Sequence, residues 1–189
     1  MATKFRKSPP VCLFISIGRL LTGKLKLSKH YLKDTVKMED GQQYTIFRHI
    51  TVFPSKDTEQ AVTFIVRFRF ARLSHNANLY ASIIPMLLIT GFPGFQTKMY
   101  AINKENGYWQ GMYRWESVNR LEEYRKSLVF NIMNRRAITG SVKSFVVQDQ
   151  NTDKYIDEKT WKLNQPQGSK TLIFGASVKG SGKTRGKLS

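Results

Sequence analysis

The residues of this chain best suited to chemistry fall into three small groups: His75 with Asn76, Lys98 with Tyr100, and Trp109, Tyr113 and Trp115. Residues of like parity share one face of a strand. Lys98 and Tyr100 therefore aim an amine and a phenol to the same side of one extended run, and the three aromatics make a wall in the next, suited to a flat ligand. The same spacing serves core and interface packing equally well. Histidine is the natural general base near neutral pH. His75 and Asn76 are accordingly the candidate catalytic pair, and Lys98, Tyr100, Trp109, Tyr113 and Trp115 the candidate ligand-binding residues. A histidine at a helix start is also commonly a cap or surface residue, and His30 and His49 lie upstream, outside the central unit.

Other chemistries are excluded or weakened by the same reading. A lone Cys12, with no CxxC and no cluster of Cys and His, rules out a disulfide framework and a structural zinc, so no metal site is expected and a reducing, cytoplasmic setting fits best. The run Gly180-Ser181-Gly182-Lys183-Thr184 resembles the end of a phosphate-binding loop. Ser177 stands where its leading glycine belongs, and too few residues follow for the helix that would receive the phosphate. A flexible basic tail is the better reading. Arg135 and Arg136 suit either a phosphate contact or the end of a helix, where cations offset its dipole.

The formal charge of +18 raises nucleic acid and anionic membrane as partners. The charge is spread over the whole chain, and no segment is a separate basic arm. At the N-terminus Lys4, Arg6 and Lys7 precede the apolar run from Val11 to Ile17, superficially like a secretory signal. Arg19 and Lys24 interrupt it and no small-residue cleavage site follows. The run falls short of the roughly 20 apolar residues that span a bilayer. It is expected either to pack on the main domain or a second subunit, or to lie as an amphipathic helix at a membrane surface.

The elements that must position the candidates follow from periodicity. Asp40-Gly41 is a turn signal, and the β-branched and aromatic run from Gln43 to Phe53 predicts a strand ending at Pro54. Strict alternation from Ala61 to Phe70 predicts a half-buried strand. Ser74 offers a cap to a helix carrying Leu79, Tyr80, Ile83 and Ile84, which Pro85 should end or kink. The loop at Thr90 to Phe95 leads into a second strand reaching Ile102, a short hairpin loop follows, and Tyr108 to Glu116 is the third strand. Ser117 caps a second helix with Val118, Leu121, Tyr124, Leu128 and Ile132 on its buried face, and Val142 to Val147 is the last strand. The order is βαββαβ, an α+β ferredoxin-like sandwich with an antiparallel sheet. The expected organisation is an N-terminal extension over 1–60, with helix and strand, a central domain over 61–148, and a polar, basic, irregular tail over 149–189. Within that tail residues 165–169 read as a linker, and Leu172 to Phe174 as a short strand or a segment docking on a partner subunit.

Gly94-Phe95, Lys98-Met99-Tyr100, Gly111-Met112-Tyr113 and Trp115 ahead of the second helix resemble the YdhR-like monooxygenases, of the antibiotic-biosynthesis-monooxygenase kind of dimeric α+β barrel. The resemblance covers about the middle half of the chain. It implies a homodimer in which two sheets close into a barrel, and a pocket between sheet and helices that holds a small organic ligand. It also implies chemistry in which an electron-rich substrate is deprotonated and reacts with oxygen without metal or flavin. Haem-degrading relatives carry a haem-ligating histidine on the second helix, and none stands there in this chain. The superfamily includes proteins of no assigned activity. Two readings therefore stand: a monooxygenase-like enzyme, and a non-catalytic module binding a small ligand or nucleic acid.

Overall fold

Four alternating or apolar runs become the central antiparallel sheet: β4 (Val62–Phe68), β5 (Phe95–Ile102), β6 (Trp109–Trp115) and β7 (Lys143–Val147), in the order β7-β4-β6-β5. With helices between β4 and β5 and between β6 and β7, this is the ferredoxin-like βαββαβ arrangement. The computed structural model describes residues 8–54, 60–71, 75–147 and 152–161. Ser74, the linker at 165–169, the expected strand at 172–174 and the run at 180–184 lie outside them.

The sheet does not stop at β5. The strand expected between the Asp40-Gly41 turn and Pro54 is β3 (Gln43–Val52), which pairs antiparallel with β5. On the outer edge of β3 sit β1 (Leu25–Ser28), opposite its C-terminal half, and β2 (Thr35–Lys37), opposite its start. Beyond β2 lies β8 (Thr160–Trp161).

Helix α1 (Pro9–Leu21), α2 (His75–Ala81), α3 (Ile83–Thr90), α4 (Val118–Arg125) and α5 (Leu128–Asn134) accompany the sheet, and the first core, holding residues of α1, α3, α4 and α5, lies on one side of it. That core joins Phe64, Tyr113, Trp115, Leu121, Tyr124 and Val129. A second core lies on the opposite side. There Ile65, Met99, Ala101 and Met112 meet Tyr31, Val36 and Met38 from the extension, and Tyr155 and Ile156 from α6 (Thr152–Lys159). Two expectations are corrected by this second layer. The strand expected over Ala61 to Phe70 is Val62–Phe68, buried on both faces rather than half-buried, with Thr63 fully enclosed and Arg69 exposed beyond its end. Residues 152–161 of the tail are helix and strand rather than irregular, because Tyr155 and Ile156 bury an apolar pair on an otherwise polar helix.

Both expected helices are split. Pro85 begins rather than ends a segment: it lies in the first turn of α3, where its missing N–H costs nothing, and Pro85, Leu88 and Ile89 turn inward while Tyr80 and Ile84 face solvent. The second helix breaks at Lys126 because Ser127 forms a new cap, its side chain accepting from the Phe130 amide at 3.2 Å. The new cap resets the helical phase, so Val129 is buried while Leu128 and Ile132 are exposed.

The apolar run at the N-terminus is α1, and it docks on α3. Cys12 and Ser16 are fully buried, Ser16 Oγ lies 2.5 Å from Thr90 Oγ1, and Arg19 donates to the Thr90 carbonyl. Phe14 and Leu21 face outward. Among the described residues no helix is long and apolar enough to cross a membrane. The two helices touch backbone to backbone: a Cβ on Gly91 would lie 1.8 Å from the Cys12 carbonyl oxygen. Burial pushes the Cys12 thiol up to about 11, with Arg19 partly opposing it. Gly91→Ala is therefore expected to cost about 3 kcal/mol by overpacking and to lift α1 from α3. A thiol reagent that leaves native Cys12 unmodified should label it rapidly in the variant, with a lowered Tm. Unchanged labelling and Tm would mean that the helices do not meet here.

Candidate ligand site between sheet and helices

Parity places Lys98, Tyr100, Gly111, Tyr113 and Trp109 on the helix side of β5 and β6, where Lys98 pairs with Tyr113, Tyr100 with Gly111 and Ile102 with Trp109. Gly111 is required by this packing: a Cβ there would come within 2.6 Å of the Tyr113 ring, which leans over it. The Tyr113 ring takes that space, and the Lys98 amine lies against two rings, 3.9 Å from the centre of the Tyr100 ring and 4.3 Å from that of Tyr113. Lys98 is 2% exposed. Burial, reinforced by the nearby Arg48 cation, holds its pKa well below the ordinary lysine value. Burial likewise raises Tyr100, whose hydroxyl has no hydrogen-bond partner among the described residues.

Lys98, Tyr100 and Trp109 border a small cavity closed by Phe68, Phe70, Pro85 and Met133. Its free space is about 10 Å3, room for about one water. Two arginines hold its roof. Arg48 donates to Ser82 Oγ at 2.8 Å and to the Leu79 carbonyl at 3.3 Å, with its guanidinium over the Tyr100 ring. Arg136 donates to the Ala81 carbonyl at 3.0 Å and lies over Phe70. Both cations thus satisfy carbonyls at the end of α2, where the helix dipole favours them.

Of the residues singled out from sequence, Lys98, Tyr100 and Trp109 come together at this cavity. Tyr113 lines an adjoining one of similar size with Val66, Tyr124 and Phe130. Trp115 stacks on Tyr124 at 4.7 Å and meets Phe92 and Phe95 edge-on, as a core residue. The expected aromatic wall is therefore continuous along β6 but serves three neighbourhoods. His75 opens α2 with its side chain outside the described part of the structure, and Asn76 is exposed. Arg135 is exposed, whereas its neighbour Arg136 is the roof clamp.

Arg48 was not legible as a site residue. Simple alternation puts it with Tyr44 and Ile46 on the opposite face. A bulge at Phe47 shifts the β3–β5 register, pairing Ile46 with Ala101 but Arg48 with Tyr100, so the parity reverses in mid-strand. Phe68 and Phe70 were visible as the end of an alternating run, without any sign that they would border a cavity.

Solved structures with a similar chain course include a monooxygenase-like protein from Listeria innocua, at 13% identity over 60% of this chain and 68% of that one, with a TM-score of 0.45. Another is an uncharacterized ferredoxin-fold protein from Listeria monocytogenes related to antibiotic biosynthesis monooxygenases, at 12% identity over 71% and 88% of the chains, TM-score 0.44. A third is Rv0793 from Mycobacterium tuberculosis, at 18% identity over 48% of this chain and 96% of that one, TM-score 0.41. No protein-family model matches the chain, and no curated protein matches it.

The depressed Lys98 pKa makes a stability statement with a definite sign. Between its folded-state pKa and the ordinary value of 10.5, the unfolded chain binds a proton that the folded chain does not, so this residue's contribution becomes more favourable as pH rises through that window. Lys98→Met, of similar length and without charge, is expected to be more stable than the parent at pH 7. The difference should shrink as pH approaches 10.5. Urea unfolding of both proteins from pH 7 to 10 checks this, and a pH-independent difference would show that Lys98 keeps its ordinary proton affinity.

Proposed function

We propose that this chain is a monooxygenase-like protein that takes up a small aromatic or apolar ligand between sheet and helices, in a homodimer and in a cytoplasmic setting. The observation that supports it most is the buried Lys98 amine at the cavity wall. An amine that holds its proton weakly, enclosed by aromatic rings, is a base for an acidic phenol or activated methylene. Deprotonation makes such a ligand electron-rich. Reaction with dioxygen then places one oxygen atom on the ligand and releases the other as water, the ligand supplying both hydrogens. Lys98 takes the role first expected of His75. His75 and Asn76 stay in the proposal as secondary proton-handling groups at the start of α2.

The cavity as it stands holds less than the roughly 300 Å3 typical of small-molecule sites. In this reading Met133, unbranched and adaptable, moves aside to admit the ligand, and Trp109 and Phe70 stack on it. Tyr113 and Trp115 support the wall from behind. A partner sheet would have to join around Tyr31, Met38, Tyr155 and Ile156, which already cover part of the second face.

The test uses 1-naphthol, whose reaction with one dioxygen gives a naphthoquinone and water. Native mass spectrometry is expected to show a dimer retaining 1-naphthol, and an oxygen electrode to show uptake that Lys98→Met abolishes while retention survives. Retention without oxygen uptake would favour the non-catalytic binding module. A monomer that retains nothing would overturn both the pocket and the dimer.

A further inference from the structure

On the opposite side of the sheet from Lys98 lies a cleft of about 560 Å3 that shares no residue with the cavity above. Its size is that of an ordinary small-molecule site. Its floor is a polar row crossing four strands in register: Lys26 on β1 faces Thr51 on β3, Thr51 faces Thr97 on β5, and Thr97 faces Arg114 on β6. At about 4.8 Å per strand the two cations flank the row at roughly 14 Å between backbones, and their long side chains line the same cleft. A bulge between Phe95 and Thr97 brings Gln96 to the cleft beside Thr97. Asp157 is the one carboxylate among the described lining residues, and it accepts from the Tyr31 hydroxyl at 2.9 Å.

His49 also lines the cleft, 7% exposed, and its proton can be placed. The Thr97 hydroxyl donates to the Ile50 carbonyl at 2.8 Å, so its oxygen meets His49 Nε2, 3.0 Å away, as an acceptor. Nε2 also lies 3.3 Å from the Thr51 hydroxyl, and we assign it the hydrogen of the neutral ring, shared between the two threonine oxygens. Nδ1 is then a buried acceptor with no hydrogen-bond partner among the described residues, a costly arrangement that a donor from a ligand would relieve. Burial and then His30 push the ring's pKa down to about 4, so it is neutral at physiological pH.

We propose that this cleft binds a small hydroxycarboxylate, its carboxylate groups held by Lys26 and Arg114 and its hydroxyl donating to Nδ1 of His49. The threonine row supplies further hydrogen bonds. Among the described lining residues Lys26 and Arg114 bring the positive charge that attracts an anion, and the buried acceptor selects a hydroxyl.

The experiment is calorimetric titration of the full chain with L-malate, with succinate, which differs by lacking the hydroxyl, and with inorganic phosphate. Malate is expected to bind saturably and about fivefold more tightly than succinate, the worth of one hydrogen bond. His49→Leu should bring malate to the succinate level and leave succinate unchanged. Lys26→Ala should weaken both at least fivefold, whereas Lys104→Ala, at an exposed lysine in the β5–β6 turn, and Lys98→Met should change neither. Should His49→Leu fail to fold, the double variant Thr51→Val with Thr97→Val, which removes both oxygens facing Nε2, is expected to erase the malate preference. The proposal is overturned by absence of saturable binding, or by equal affinity for malate and succinate in the parent. It is also overturned if Lys104→Ala weakens binding as much as Lys26→Ala, the mark of diffuse attraction to a +18 surface, or if phosphate binds as tightly as malate and ignores His49→Leu.

Discussion

A sheet whose central strands are buried on both faces has to be covered twice, and much of this molecule follows from that constraint. Every residue of β4, β5 and β6 is buried. Helices cover one face in the ordinary ferredoxin-like way. On the other, Ile65, Met99 and Met112 are enclosed by Tyr31, Val36 and Met38 ahead of the core and by Tyr155 and Ile156 after it. Apolar burial is worth roughly 25 cal/mol per Å2, so the flanking segments gain their order from the central sheet and shield it in return. The ion pair between Arg67 and Asp40 belongs to this cover: Arg67, 8% exposed on the second face, also donates to Gln110 Oε1 at 2.7 Å. An arginine in such a place is tolerable because its donors are met and its plane lies over Tyr44 and Phe145.

The central architecture was legible because it rests on local signals. Alternation located β4 to β7, the Asp40-Gly41 turn located β3, and Ser117 capped α4, its side chain accepting from the Arg120 amide. The errors have equally local causes. A serine inside an apparently continuous helix, Ser127, formed a second cap and shifted the inward face by one residue. Pro85 signals an end or a kink in sequence, yet it sits in the first turn of α3, which accepts proline without loss. The second apolar layer was invisible because Thr63, Ile65 and Arg67 form a mixed face that looks like a solvated one until tertiary partners are known. Likewise Tyr155 and Ile156 are too few to give a polar helix a detectable period.

The candidate sites were legible only on stretches of strand where parity is unbroken. Lys98, Tyr100 and Trp109 share a face in sequence and in space. Arg48 and the pair Gln96 with Thr97 do not obey parity, because each lies at a bulge. A bulge inserts one residue and reverses which face the following side chains take, so alternation fails where a strand re-aims its polar groups. These two bulges serve opposite faces: the one at Phe47 sends Arg48 toward the helices, and the one after Phe95 brings Gln96 and Thr97 to the cleft.

The consequence is that one pair of adjacent strands prepares two electrically distinct environments about a backbone's thickness apart. Thr97 and Lys98 are neighbours in β5, yet Thr97 contributes to an open polar row and Lys98 to a closed aromatic box. On the closed side, enclosure removes water from the amine and Arg48 adds a like charge, so the neutral form is favoured. On the open side, the Thr97 hydroxyl is committed to the Ile50 carbonyl, and its oxygen and that of Thr51 both face His49 Nε2, which favours the tautomer with the hydrogen there. Both effects are set by backbone geometry rather than by the identity of the titrating residue alone. A lysine or histidine at the same sequence position without its bulge or its register partner would keep neither the face nor the proton affinity that makes it chemically useful here.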